Sequence, residues 1–354
     1  MRERRETSLS GMTTLRVGGP ARRMLDASVE EEVVEAVSGA DAAGEPLLVM
    51  AGGSNLVIAD AGFPGTVARI ATSGIAARSE DDRVRLDVAA GETWDELVAR
   101  CVADELAGIE CLSGIPGSVG ATPIQNVGAY GQEVSETIAS VRTYDRRAGA
   151  VAERSPAQCA FGYRSSAFKG SDRHVVLAVS LVLERSAAAR PIRYAELART
   201  LGVELGSRPP ATDVREAVLA LRRRKGMVID PDDPDSVSAG SFFVNPILST
   251  AGFAALTRRA AERLGEGSPP PPGWPEADGH VKTSAAWLIE RAGFHRGYGE
   301  GRAGISQKHT LAIVNRGGAT TSELIGVARE LRRGVAEAFG VTLQVEPTLV
   351  GVAL

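Results

Sequence analysis

Apolar and polar positions recur along this chain with two periods, and each change of period marks a change of element. In LLVMAGGSNLVIAD (47–60) two apolar runs flank a glycine-rich tetrad, the pattern of strand, tight loop and strand. Val84, Leu86 and Val88 alternate with polar residues, as one face of a strand does. The period then lengthens: Trp94, Leu97, Val98, Cys101 and Val102 share one face of a helix that stops near Gly108, with Thr93 and Glu96 spaced as a capping box. Ser28 and Glu31 have the same spacing at the start of a shorter helix in SVEEEVVEAV. Strands are predicted in SVRTYDRR (140–147) and HVVLAVSLVLE (174–184), and a helix from Thr212 in TDVREAVLALRRRK. Further helices are predicted around 250–264, in SAAWLIERAG (284–293), and from Thr320 to Phe339. The last has Thr320 and Glu323 as its box, Leu324, Val327, Ala328, Leu331 and Val335 as its stripe, and Gly340 as its stop. The chain closes on VTLQVEPTLVGV (341–352), a predicted strand carrying Glu346.

One stretch has no period at all. LSGIPGSVGATPIQNVGAYG (112–131) holds too many glycines and prolines for regular structure and reads as a long ordered loop, a class that is usually functional. The acidic, proline-bearing IDPDDPDS (229–236) reads as a domain boundary. At 354 residues the chain exceeds the size at which one core stops growing, so two or three domains are expected.

Composition narrows the classes. A net charge of -4 with 24% charged residues lacks the basic excess of a nucleic-acid binder. Cys101, Cys111 and Cys159 are odd in number and form no CxxC pair, which argues against a disulfide framework or zinc ribbon and for a reducing cytoplasm. The charged N-terminus leads into no apolar segment, and no run approaches the length of a membrane span, so neither export nor membrane insertion is expected. Of 40 basic residues only Lys169, Lys225, Lys282 and Lys308 are lysines, which marks those positions as ones where a compact ammonium is wanted.

The candidate chemistry lies in the glycine loops. Gly52, Gly53, Ser54 and Asn55 offer backbone N–H groups with little side chain in the way, suited to a pyrophosphate; by itself the tetrad reads more simply as a hairpin turn. Gly114, Gly117, Gly120, Gly128 and Gly131 add a second stretch where backbone can approach a large planar or phosphorylated ligand. Neither loop matches the GxGxxG fingerprint or the GxxxxGK[ST] phosphate loop, so a nucleotide cofactor fold of another kind is required. The four histidines show no metal-ligand spacing, so no metal is expected. Ser241 in AGSFFVNP lacks the GxSxG elbow of a hydrolase and is either a turn serine or a proton source.

Taken in order, LLVMAGGSNLVI, IPGSVGATPIQNVGAYG, FGYRSSAF, PIRYAEL, AGSFFVNP, ADGHVKTSAAWLIE and QVEP resemble the UDP-N-acetylenolpyruvoylglucosamine reductase family of peptidoglycan synthesis, in its variant with an extra tyrosine-bearing segment. The likeness spans nearly the whole chain after the first dozen residues. It implies an α+β fold in which a two-part FAD-binding fold of the vanillyl-alcohol oxidase type (13–71 and 72–228) is joined to an α+β substrate domain (229–340) and a terminal strand (341–354).

The same resemblance implies non-covalent FAD held by Gly52, Gly53, Ser54, Asn55, Ile115, Pro116, Gly117, Gly120, Thr122, Gly128, Ala129 and Tyr130. No histidine precedes His174, in keeping with an unattached flavin. NADPH would be the hydride donor and the enolpyruvyl sugar nucleotide the substrate of a monomeric enzyme. Ser241 would be the proton donor, with Arg164 and Glu346 steadying the enolate, so that three distant segments gather at one carbon. Tyr163, Tyr194, Lys225, Asn245 and Lys282 would bind substrate; Val244 stands where the family pattern leads one to expect lysine. An oxidase on the same scaffold and a nucleotide-binding module without chemistry are the competing readings.

Overall fold

A computed structural model describes residues 1–265, 267–276 and 279–354; Glu266, and the Ala277 and Asp278 that open ADGHVKTSAAWLIE, lie outside the described residues. The chain forms two compact units, each assembled from separated stretches. Met1–Ser8, Pro20–Gly53 and Phe63–Arg224 make the first, and Leu9–Gly19, Ser54–Gly62 and Lys225–Leu354 the second.

The first unit contains two main sheets. In one, Arg2–Ser8 runs antiparallel to Pro20–Ala27, which is parallel to Phe63–Ile70, itself parallel to Leu47–Met50. The helix Glu30–Ala42 covers it through Val33, Ala36 and Val37. The other is antiparallel, in the order Ala150–Arg154, Ile138–Asp145, His174–Arg185, Arg83–Ala89 and Ile75–Glu80, with the short strand Leu106–Ala107 also pairing His174–Arg185. Its register sets Val84, Leu86 and Val88 opposite Leu183, Leu181 and Val179, all buried, so the predicted alternation is the core face of the sheet. The helix Trp94–Ala103 buries Trp94, Leu97, Val98, Cys101 and Val102 in the same core, and Ala211–Arg224 adds Val214, Val218 and Leu221. Burying side chains of this size contributes about 1.5–3 kcal/mol each.

The second unit packs the helix Thr321–Phe339 against a three-stranded antiparallel sheet in the order Ser238–Ser241, Ala312–Asn315 and Ala303–Ile305. A second three-stranded sheet, Ile247–Ser249, His280–Thr283 and Gly273–Pro275, is backed by the helix Thr250–Leu264. Phe242, Phe243, Leu288, Ile289, Leu324, Leu331, Val335 and Phe339 fill the core.

Several local expectations change. The two apolar runs around Gly52 are both strands, but they do not pair: Leu47–Met50 lies in the first unit, and Leu56–Ile58 runs parallel to Thr348–Val350 in the second. The tetrad between them is therefore not a hairpin turn. Glu346 precedes the terminal strand, which is confined to Thr348–Val350. The box expected of Ser28 and Glu31 is not formed: the helix begins at Glu30 with Val29 as its cap, and Ser28 instead donates its N–H and hydroxyl to Glu32. Thr93 caps through its backbone alone. Thr320 and Glu323 form the reciprocal box expected, and Gly340 ends that helix at φ +68°.

Candidate active site

The long glycine loop is shaped by close packing. A Cβ on Gly52 would lie 3.0 Å from Gly117 Cα, so these two glycine backbones touch. From Gly117 to Gly120 the loop is zipped along residues 90–94: Trp94 N–H donates to Gly117 O (3.0 Å), Val119 N–H to Glu92 O (2.8 Å) and Gly120 N–H to Ala90 O (2.9 Å). Gly120 has no room for a side chain, since its Cβ would sit 2.4 Å from Ala90 Cβ. Thr122 turns its hydroxyl onto Val119 O at 2.8 Å and so serves the loop itself. Asp95 fixes the loop's start, accepting from Gly114 N–H at 2.5 Å while paired with Arg215 at 2.7 and 3.0 Å. Ile115 and Pro116 remain half-buried on its outer side. Ser118 Oγ, at the close approach, is buried and has no hydrogen-bond partner among the described residues.

The loop ends in a hairpin, Gly128–Ala129 against Gln132–Glu133, whose tip is Tyr130 and Gly131 at φ +49° and +84°. Two positive φ angles are what a tight hairpin turn of the primed type requires. An aromatic there is strained, and such strain persists where the surroundings fix it. The Tyr130 ring stands edge-on to Tyr194, with centroids 5.6 Å apart. Burial pushes the Tyr130 hydroxyl up to about 12, against the pull of the Arg222 charge.

Arg164 sits on the neighbouring FGYRSS turn, closed by reciprocal backbone bonds between Gly162 and Ser165. Its φ of +49° is again left-handed, and its Nη2 donates to Gly128 O at 2.5 Å. A Cβ on Gly128 would lie 3.0 Å from Arg164 Nη1, so that glycine makes room for the guanidinium. Tyr163 lies beneath it, 5.4 Å from ring centre to the guanidinium carbon. Asn126 ties turn to loop by donating to Gly162 O (3.1 Å) and Glu133 Oε2 (2.7 Å).

In the second unit the strand Ser238–Ser241 carries an irregularity between Ser238↔Val314 and Ser241↔Ala312, with Gly240 at φ +74°. That is a glycine bulge, a device that re-aims a side chain, and it sets the half-buried Ser241. Next to it Phe242 and Phe243 are wholly buried, anchoring the segment in the core. Phe242 N–H donates to Leu311 O (2.7 Å), and Glu346 N–H donates to Phe242 O (3.0 Å). Ser241 and Glu346 are thus brought together within one unit, whereas Arg164 belongs to the other with Tyr163, Tyr130 and Tyr194. Val244 donates its N–H to Gln344 O, a backbone role that any side chain permits. Asn245 Oδ1 accepts from Ala285 N–H (3.0 Å) at the start of the helix Ala285–Arg291. Lys282 pairs with Glu276 and lies in a cross-strand row between Ile247 and Trp274, both exposed. Lys225 opens the last stretch of this unit and is half-buried.

A model of the UDP-N-acetylenolpyruvoylglucosamine reductase C-terminal domain matches residues 232–350, and an FAD binding domain model matches residues 22–153. Over 351 residues the chain is 57% identical to the UDP-N-acetylenolpyruvoylglucosamine reductase of Thermobifida fusca, covering 99% of this chain and 98% of that protein. The chain belongs to this reductase family. It is also 57% identical over 356 residues to the Streptomyces coelicolor reductase of the same name, covering all of this chain and 92% of that one. The crystal structure of the Thermus caldophilus reductase superposes with a TM-score of 0.64 at 26% identity, covering 99% of both chains.

The protein is therefore an FAD-dependent oxidoreductase with a role in peptidoglycan precursor synthesis, and its α+β fold joins an FAD binding domain to the C-terminal domain of this reductase family. The glycine loop fits the cofactor: the Gly52 and Gly117 contact leaves bare backbone at the surface, and the buried Ser118 hydroxyl has no hydrogen-bond partner among the described residues. Ser118 lies within the loop read from the sequence but was not singled out there, although a hydroxyl between Gly117 and Val119 in GSVG was the signal for it.

Proposed function

We propose that this protein reduces the enolpyruvyl group of UDP-N-acetylglucosamine enolpyruvate to the lactyl ether of UDP-N-acetylmuramate, with NADPH as reductant. Held non-covalently by the glycine loops, FAD would supply the hydride for the methylene carbon, with NADPH as its source. Electrons then move from the double bond into the substrate carboxylate, leaving an enolate that needs cationic or hydrogen-bonding partners and a proton at its α carbon.

Ser241 gives that proton: its O–H bond breaks as the new C–H bond forms, and solvent restores the hydroxyl. Glu346 and Arg164 steady the negative charge, the guanidinium by paired donors to the carboxylate. Lys225, Lys282 and Asn245 take the diphosphate, Tyr163 and Tyr194 line the sugar, and Trp274 offers an apolar face to the base. Residues 13–71 and 72–228 serve as FAD-binding subdomains, 229–340 as the substrate domain and 341–354 as the segment that delivers Glu346. The enzyme works as a cytoplasmic monomer without membrane or nucleic-acid partners; no helix among the described residues is long and apolar enough to cross a membrane.

The observation that supports this most is the glycine bulge that sets Ser241 beside the Phe242 carbonyl to which Glu346 is bonded. Purified protein is expected to be yellow, to bleach with NADPH under anaerobic conditions, and to regain its colour on adding the enolpyruvyl sugar nucleotide. Flavin-loaded protein that bleaches but is not reoxidised by that compound removes the substrate assignment.

A further inference from the structure

Glu110 lies outside every motif that points to chemistry, yet its side chain is wholly buried in the first unit. Its carboxylate accepts three N–H donors from three separate segments. Gly108 N–H reaches Oε2 at 2.6 Å, while the Gln132 side-chain amide (2.8 Å) and the backbone N–H of Arg190 (2.7 Å) both reach Oε1. Gln132 is held from its other end as well, since its Oε1 accepts from Cys111 N–H at 2.8 Å.

Two of those segments carry the tyrosines of the site. Gln132 is on the returning strand of the hairpin tipped by Tyr130 and Gly131, and Arg190 begins the run that reaches Tyr194. The segments meet again at their far ends, where Tyr130 and Tyr194 stand edge to face and a Cβ on Gly131 would lie 3.0 Å from Arg193 Cβ. A buried carboxylate is costly unless fully hydrogen-bonded, and once so bonded it fixes the groups that bond it. An apolar residue would fill the same space without fixing the hairpin relative to the 190–194 run.

We propose that Glu110 is a positioning residue for substrate capture: it locks the flavin hairpin and the foot of the Tyr194 segment into one arrangement, the base from which Tyr194 reaches the substrate. This rests on Tyr194 binding substrate. Misplacing a binding group by about 1 Å can cost up to ~100-fold, so a Glu110→Gln holoenzyme should show KM for the enolpyruvyl sugar nucleotide raised about 10-fold. Reduction of its flavin by saturating NADPH should stay within about twofold of wild type, because the loss is one of binding alone. Glutamine retains one oxygen and no charge: its N–H group faces either the Gly108 N–H or both the Gln132 amide and the Arg190 N–H, and in either case the three segments lose their common anchor.

A double-mutant cycle with Tyr194→Ala gives a readout that a merely structural role would not move. If Glu110 acts through Tyr194, then adding Glu110→Gln to Tyr194→Ala leaves KM where Tyr194→Ala alone put it. Full additivity of the two changes, an unchanged KM in Glu110→Gln, or an equal fall in the NADPH half-reaction overturns the proposal while leaving Tyr194 as a substrate residue. An unchanged KM in Tyr194→Ala removes the reading of Tyr194 and this proposal with it. Should Glu110→Gln fail to give folded yellow protein, Gln132→Met cuts the hairpin arm alone and enters the same cycle with the same expectation.

Discussion

The backbone N–H of Glu346 donates to the carbonyl of Phe242 over 3.0 Å, which pairs residue 346 with the immediate neighbour of Ser241. Ser241→Ala removes the proposed proton donor and leaves that backbone pairing intact. Reduction of the flavin by NADPH is expected to be nearly unchanged, and reoxidation by the enolpyruvyl compound to slow by ~10²–10⁴, the usual weight of general acid help. Stopped-flow absorbance of the two half-reactions checks it; equal losses in both would mean a damaged fold and not a lost proton.

Arg164 owes its place to a glycine. With Nη2 on Gly128 O and Nη1 where a Gly128 Cβ would press, Gly128→Ala must push the guanidinium aside. Arg164→Lys keeps the charge but loses the planar fork that can hold the Gly128 carbonyl and the proposed substrate carboxylate together. Both variants are expected to slow substrate-driven reoxidation, Arg164→Lys by ~10–100-fold, with Arg164→Lys leaving the NADPH half-reaction within about threefold of wild type. An Arg164→Lys enzyme with wild-type reoxidation would rule out a role for the fork.

The elements with a strong period were legible in the sequence. Val84, Leu86 and Val88 face the core as read, and the long C-terminal helix starts and stops at the residues its box and glycine mark. What failed was pairing. Two apolar runs separated by Gly52 to Asn55 look the same whether the strands hydrogen-bond to each other or, as here, to partners far away in sequence, because alternation reports burial and not the neighbour. The box read at Ser28 failed for a related reason: three glutamates stand in a row, and only the helix start decides that Glu32 is the one that reaches back to Ser28.

The site divided the same way. Glycine loops and the AGSFF bulge announce themselves, since glycine at positive φ or at a close backbone approach is required by geometry. Glu110 does not. A buried carboxylate between an isoleucine and a cysteine has no local pattern, and its three partners come from residues 108, 132 and 190. Long-range hydrogen bonding of this kind leaves no trace in spacing.

Asp95 gives a pH dependence with a definite sign. Burial alone would push its carboxyl up, but the paired Arg215 guanidinium, the Gly114 N–H and the charges of Arg215 and Arg222 outweigh burial and hold it below its ordinary value of 3.8. A carboxyl lowered on folding stabilises the protein at pH above its unfolded value, and that contribution fades as pH falls through the folded value. Asp95→Asn is therefore expected to lower the melting temperature by a constant amount above about pH 5, with the gap closing as pH drops below about 4. Melting of the holoenzyme followed by flavin fluorescence across that range tests it. A gap that widened on acidification would mean that Asp95 is not stabilised as an anion.

The thiols test the core of the first unit chemically. Cys101, Cys111 and Cys159 are all free and buried. Burial pushes the Cys101 thiol up to about 12 and that of Cys159 to about 11, while Cys111 is raised by burial and by the neighbouring Glu110 charge. The thiolate is the nucleophile, and at pH 8 a thiol titrating near 11 is ionised in about one molecule in a thousand, before the barrier of reaching it is counted. The native protein is expected to show no fast reaction with a disulfide reagent such as DTNB at pH 8, and to release three equivalents of the chromophore once unfolded in guanidinium. Because Cys111 lies beside Glu110 and donates its N–H to Gln132, the slow native rate should rise in Gln132→Met if that bond helps hold the segment closed. A fast-reacting thiol in the untouched native enzyme would contradict the packing of this core.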